Sequence, residues 1–193
     1  MRDRNLQVFL DTAEAAIRVA SASPESLRAA GRVFDRCRSL HGPAGPVRPE
    51  RLPVCDWLEP ALDAADGTPR QAVADALGAL MGLLAWKRRA SADPADRNFW
   101  NGHANAMIFG PSGLEERDDL WIGATVMAPR VAYADHEHPP EEVYLSITAG
   151  EWWNARMDWT DPGAAGLIYN PPGIRHAMRS GEGPFLALWF LPV

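Results

Sequence analysis

The chain has 193 residues, of which 47% are hydrophobic and 23% charged, and a formal net charge of −6. This composition excludes a disordered chain and suffices for one well-buried domain or a compact domain with a substantial extension. The acidic balance and the lack of a Lys/Arg-rich run exclude nucleic acid and anionic membrane as partners, since both need clustered positive charge.

The N-terminal stretch MRDRNLQVFLDTAEAA mixes acidic residues into its apolar positions and has no signal-peptide core or cleavage site. No run approaches the ~20 apolar residues of a membrane span, so a soluble cytoplasmic protein is expected. Cys37 and Cys55 lie in different predicted elements without CxxC spacing and are expected to be reduced packing thiols.

Leu6, Phe9, Leu10, Ala13, Ala16, Ile17 and Ala20 follow helical spacing and predict a helix over 4–20. Ser23-Pro24-Glu25 supplies a cap, a first-turn proline and an acidic first turn for a second helix with the stripe Leu27, Ala30, Phe34, Cys37 and Leu40. Four prolines between His41 and Pro53 prevent regular structure, and this long loop is a candidate lid. Trp57–Ala65 reads as a short helix, and Thr68-Pro69 as the cap of a longer one with Val73, Leu77, Leu80, Met81 and Leu84 on its apolar face. Lys87–Arg89 reads as the cationic end of that helix, complementing its dipole.

From Phe99 onward the segments become short, β-branched and aromatic, with Gly, Pro and Asp between them, the pattern of an antiparallel all-β unit. Predicted strands are 103–109, 120–127, 142–148, 151–157, 166–169, 174–178 and 185–191. The expected architecture is mainly β with an α extension: a helical segment over 1–97 packed on a β-barrel or sandwich over 98–193, in one compact body.

The densest chemistry lies in Tyr133–Gly150, YADHEHPPEEVYLSITAG. Residues two apart share a strand face, so Glu142, Tyr144, Ser146 and Thr148 point one way and Val143, Leu145 and Ile147 the other. His136 and His138 share a face in the same manner, across the Pro139-Pro140 turn. A third histidine, His176, follows the tight turn Asn170-Pro-Pro-Gly. Imidazoles with a carboxylate form a ligand mixture for one divalent transition metal ion, Zn, Fe(II), Mn, Co or Ni. His103 reads as a hydrogen-bonded strand histidine, His41 has no role, and Glu141 reads as solvated.

These residues resemble the cupin family, whose motifs HxHxxxE…G and PxGxxH stand here as His136, His138, Glu142, Gly150 and Pro171, Gly173, His176. Two departures leave the ligands untouched: seven rather than six residues separate Glu142 from Gly150, and Ser180 stands where the family has asparagine. Tyr144, Tyr133 and the helical N-terminal half narrow the resemblance to the cupin-type dimethylsulfoniopropionate (DMSP) lyases of the Q branch. That resemblance implies a cupin (jelly-roll-like) barrel behind an N-terminal helical bundle, and a metal held by His138, Glu142, Tyr144 and His176, with His136 ranked last among the ligands. It also implies a carbon–sulfur lyase acting on a small zwitterionic substrate, with no nucleic-acid or membrane partner, as a monomer or homodimer.

β-Elimination to dimethyl sulfide and acrylate removes a proton beside a carboxylate, and a metal on that carboxylate offsets the charge of the enolate-like transition state. A neighbouring cation favours a phenolate, which makes Tyr144 the expected base. Tyr133 is the second catalytic candidate. The sulfonium is a soft cation suited to an aromatic face, from Tyr133 or Trp189. Two other functions use the same scaffold: a mononuclear iron cupin dioxygenase, and a ligand-binding cupin without turnover.

Overall fold

The computed structural model describes residues 2–193. Helices α1 (Arg4–Arg18) and α2 (Pro24–Ser39) open the chain, a 3₁₀ turn over Pro53–Trp57 leads into α3 (Leu58–Asp63), and α4 (Gln71–Met81) and α5 (Arg97–Gly102) complete the helical part. The strands are β1 (His103–Phe109), β2 (Leu120–Met127), β3 (Ala132–His136), β4 (Glu142–Ser146), β5 (Glu151–Asn154), β6 (Met157–Thr160), β7 (Leu167–Asn170), β8 (His176–Arg179) and β9 (Phe185–Pro192).

Two antiparallel sheets result, one ordered β1-β2-β9-β4-β7 and the other β3-β8-β5-β6. The parity read from the sequence sorts the faces of the first. Val143, Leu145 and Ile147 join the helices in one continuous apolar cluster with Phe9, Val33, Leu77 and Phe190, whereas Tyr144 joins the inner cluster with Trp152, Met178 and Phe185. This is the expected cupin architecture with helices covering the outer face of one sheet. No helix of the described residues is long and apolar enough to cross a membrane.

The first two helices begin where their caps dictate. The Asp3 carboxylate accepts from the amides of Asn5 and Leu6, and Ser23 Oγ accepts from the Ser26 amide. The buried face of α2 differs from the expected stripe: Leu27 and Leu40 are exposed, and Ala29, Ala30, Val33, Phe34 and Cys37 are buried. Phe34 sets this rotation by packing against Phe190 of β9, with ring centroids 5.6 Å apart. Both cysteines are free and buried, as expected.

The structure corrects the second half of the helical reading. Thr68 does not cap α4; its hydroxyl donates to the Ala65 carbonyl and accepts from the Arg70 amide, closing the preceding turn, and α4 starts at Gln71. The helix stops at Met81, followed by Gly82, because the core draws in Leu84 and Trp86. Lys87–Arg89 is therefore not a helix end. Lys87 exchanges backbone hydrogen bonds of 2.9 and 2.8 Å with Asn105, extending the sheet beyond the edge of β1.

The His41–Pro53 loop is stitched to the β1–β2 connection, through Gly45 donating to Leu114 and Glu116 donating to Pro43. It lines no part of the cavity described below, so the lid expectation fails. The expected strand over 151–157 is two strands, since the Asn154 side chain accepts from the Arg156 amide and turns the chain into β6.

Candidate active site

His136 ends β3 directly opposite His176 of β8, and their rings lie 4.1 Å apart between centroids. His138 follows in the turn into β4. Gly173 adopts φ of +67°, a left-handed conformation natural to glycine, and donates its amide to the His138 carbonyl at 3.0 Å. The Pro-Gly motif thereby docks the third histidine beside the first two.

Each imidazole is held the same way. Nδ1 of His136, His138 and His176 donates to the carbonyls of Ala134, Pro140 and Ile174, at 3.0, 2.9 and 2.8 Å. A carbonyl only accepts, so each ring carries a proton on Nδ1 and turns Nε2 inward. The three histidines offer ligand atoms within 4.8 Å of one another, and the buried Nε2 of His176 has no hydrogen-bond partner among the described residues. That donor set and that orphaned nitrogen fit a metal ion.

Glu142 lies beneath the imidazoles. Its Oε2 is 3.4 Å from His138 Nε2 and 3.3 Å from His176 Nε2, and accepts from Asn170 Nδ2 at 3.2 Å. Asn170 is in turn held by Asn154 Nδ2, which donates to its side-chain oxygen at 3.1 Å. Burial resists ionisation of Glu142, yet the two facing histidines outweigh it and hold the carboxyl below its ordinary range. For His136, burial and the neighbouring His176 press the ring down to about 3, keeping it a neutral donor.

A cavity of about 170 Å³ opens over this cluster, lined by Arg89, Asn105, Trp121, Thr125, Tyr133, His136, His138, Glu142, Tyr144, Trp189 and Leu191. Both candidate tyrosines and Trp189 thus face the same space as the imidazoles. Along one wall runs an oriented chain of hydrogen bonds. Trp189 Nε1 donates to Thr125 Oγ1 at 3.2 Å, Thr125 donates to Asn105 Oδ1 at 2.6 Å, and Asn105 Nδ2 donates to the Tyr133 hydroxyl at 2.9 Å. Gly123 makes room for this wall: a Cβ there would stand 2.2 Å from the Trp189 ring.

The two phenols differ in setting. Burial raises both above the ordinary tyrosine value. Around Tyr133, Arg89 and the Asn105 amide counter that rise. Around Tyr144, the Glu142 carboxylate adds to it and holds the phenol protonated.

Arg89, Asn105, Thr125, Trp121, Asn154 and Asn170 were not among the site residues expected from the sequence. They are spread over β1, β2, β5, β7 and the segment after α4 and form no linear motif. Glu141 also departs from its expected solvated state, because it accepts from the Tyr169 hydroxyl at 2.6 Å and pairs with Arg32. Ser180, at the family's asparagine position, accepts from the Val131 amide and donates to the Ala128 carbonyl, pinning the end of β8 to the segment before β3.

Residues 26–187 match the family model described as dimethylsulfoniopropionate lyase. The chain belongs to the DMSP lyase family. It is 30% identical to the dimethylsulfoniopropionate lyase DddQ of Ruegeria pomeroyi over 74% of this chain and 71% of that protein. It is 32% identical to the DddL protein of Cereibacter sphaeroides over 69% of this chain, and spans only 56% of that relative's length. The crystal structure of DMSP lyase DddQ from Ruegeria pomeroyi DSS-3 superposes with a TM-score of 0.73 at 22% identity, covering 100% of this chain and 93% of that one. That likeness establishes the shared fold of this family member.

Proposed function

We propose that this protein cleaves DMSP by β-elimination to dimethyl sulfide and acrylate, with a divalent transition metal, Zn, Fe(II), Mn, Co or Ni, held by His136, His138, His176 and Glu142. The observation that carries the reading is the convergence of three tautomer-fixed imidazoles on a small aromatic-walled cavity in a DMSP lyase family member. When bound, such an ion offsets the charge of the substrate carboxylate and favours a nearby phenolate as base.

The chain's own residues supply the rest. Tyr144, on the inner face of β4 and protonated beside Glu142 when no ion is bound, would take the α-proton at its phenolic oxygen as the phenolate that a bound cation would favour. The C–H electron pair becomes the C=C bond as the C–S bond breaks, and dimethyl sulfide leaves with the sulfur lone pair. Trp189 and Trp121 offer faces to the sulfonium and exclude water from it. Tyr133 is the second reading for the base, favoured by the Asn105 hydrogen bond and by Arg89, both of which stabilise its phenolate.

Headspace dimethyl sulfide from the metal-loaded protein, compared among wild type, Tyr144→Phe and Tyr133→Phe, decides between them. Loss of the base lowers kcat about 10²–10⁴-fold. A fall confined to Tyr144→Phe supports the first assignment, whereas full activity in that variant with loss in Tyr133→Phe transfers the role. A protein as active after exhaustive chelation as before contradicts metal dependence.

A further inference from the structure

We propose that Trp189 limits the size of the alkyl groups on the substrate sulfonium, with Gly123 and Thr125 as the positioning residues that set its ring, an inference that rests on the substrate class proposed above. In the register of the five-stranded sheet, Trp189 of β9 stands between Gly123 of β2 on one side and Tyr144 of β4 on the other. Its indole therefore has two ways to lie: toward a neighbour with no side chain, or toward a phenol that lines the same cavity.

The contacts decide for the glycine. A Cβ on Gly123 would stand 2.2 Å from both Cζ2 and Cη2 of the indole, so the ring fills the space that any other residue there would occupy. Two residues along β2, Thr125 Oγ1 accepts from Trp189 Nε1 at 3.2 Å, and the strand partner of Thr125 is Ala187, small enough to leave that diagonal to the indole. The Tyr144 ring packs instead toward Trp152, with centroids 5.9 Å apart. The indole is thus laid along β2, and the cavity of about 170 Å³ that both residues line stays open to Tyr144. Gly123 serves β1 as well, since the same Cβ would meet the Ala106 carbonyl oxygen at 2.4 Å.

Trp121 and Leu191, cross-strand partners one pair beyond Gly123 and Trp189, complete the apolar lining. An indole held in this way cannot give ground. Retreat is blocked by the β2 backbone, and a swing toward Tyr144 breaks the Thr125 hydrogen bond and narrows the cavity. Methyl groups on sulfur let the cation approach the ring face within cation–π reach, whereas longer chains hold it away.

Dimethylsulfonioacetate and diethylsulfonioacetate carry the substrate's two charges but bear sulfur on the α-carbon, so loss of the α-proton expels nothing. Isothermal titration of the metal-loaded protein therefore reads their affinities without turnover. Wild type should bind the dimethyl compound about 10–200-fold more tightly, the range for a surplus methylene in an apolar pocket. Trp189→Leu should lower that ratio about 10-fold or more. Thr125→Val should lower it too, and Thr125→Ser, which keeps the hydroxyl, should hold the wild-type ratio. Thr125→Val also disturbs Asn105 and Tyr133, but that change falls on both probes, so the ratio isolates the indole. Equal affinities or no binding in wild type, an unchanged ratio in Trp189→Leu, or identical ratios in Thr125→Val and Thr125→Ser overturns the proposal. Dimethyl sulfide release from DMSP is scored separately: release without selection by alkyl size refutes this inference alone, and selection without release refutes the lyase reading alone.

Discussion

Every imidazole in the cluster donates Nδ1 to a main-chain carbonyl, so ring orientation is set by backbone that the β3–β4 turn and the Pro-Gly turn already fix. Glu142 is oriented differently, by a relay of two asparagine side chains. Removing the outer member frees Asn170 to rotate and leaves the carboxylate with its histidines alone. Asn154→Ala should therefore weaken Zn²⁺ affinity about 10–100-fold, read by competition with a chromophoric chelator. Affinity equal to wild type would show that the relay does not reach the ligands. The histidines, Glu142 and Tyr144 were legible because they share a strand parity and two short motifs. Arg89, Asn105, Thr125 and Asn154 were not, because each reaches the site through a pairing between elements distant in sequence.

At the scale of elements, strands were the readable part: β1, β2 and β9 fall within a residue of their expected bounds, since each is a short, largely apolar run buried on both faces. The errors come where tertiary contacts override local pattern. Leu84 fits the period of α4, but the chain leaves the helix at Gly82 to bury Trp86, and that displaces Lys87–Arg89 from a helix end to a sheet edge. The elements are also tied by charge. Arg2, just before α1, donates to Glu115 in the β1–β2 connection at 2.6 Å, and Arg117 donates to the same carboxylate at 3.3 Å. Burial alone would raise the Glu115 pKa, but Arg2, the Gly42 amide and Arg117 outweigh it and lower the value. A carboxyl lowered on folding contributes stability that is full above its unfolded pKa of ~4.3 and is lost as pH falls through the folded value. Urea unfolding across this acid window should show a shallower decline for Glu115→Gln than for wild type, together with a loss of about 3 kcal/mol at neutral pH from leaving two buried guanidiniums underpaired. Parallel curves would remove Glu115 from the acid response.

Over the whole molecule, helices α1–α4 do not contribute to the cavity; they seal the outer face of the five-stranded sheet whose inner face carries Glu142, Tyr144, Thr125 and Trp189. This division lets the inner face be polar and open to substrate while the apolar core lies elsewhere. The β unit with its helical extension was legible from composition and strand spacing, and its cupin character from the resemblance of the histidine motifs, whereas the lid expectation for His41–Pro53 failed because that loop's backbone is spent on the β1–β2 connection. The chemistry assigned to the cavity is an elimination that consumes no oxygen, which sets it apart from the dioxygenase function that the same ligands permit. Anaerobic incubation of metal-loaded protein with DMSP, with dimethyl sulfide and acrylate quantified together, tests this most directly. The account predicts equimolar release of the two products at the aerobic rate; a requirement for oxygen, or no dimethyl sulfide, would contradict it.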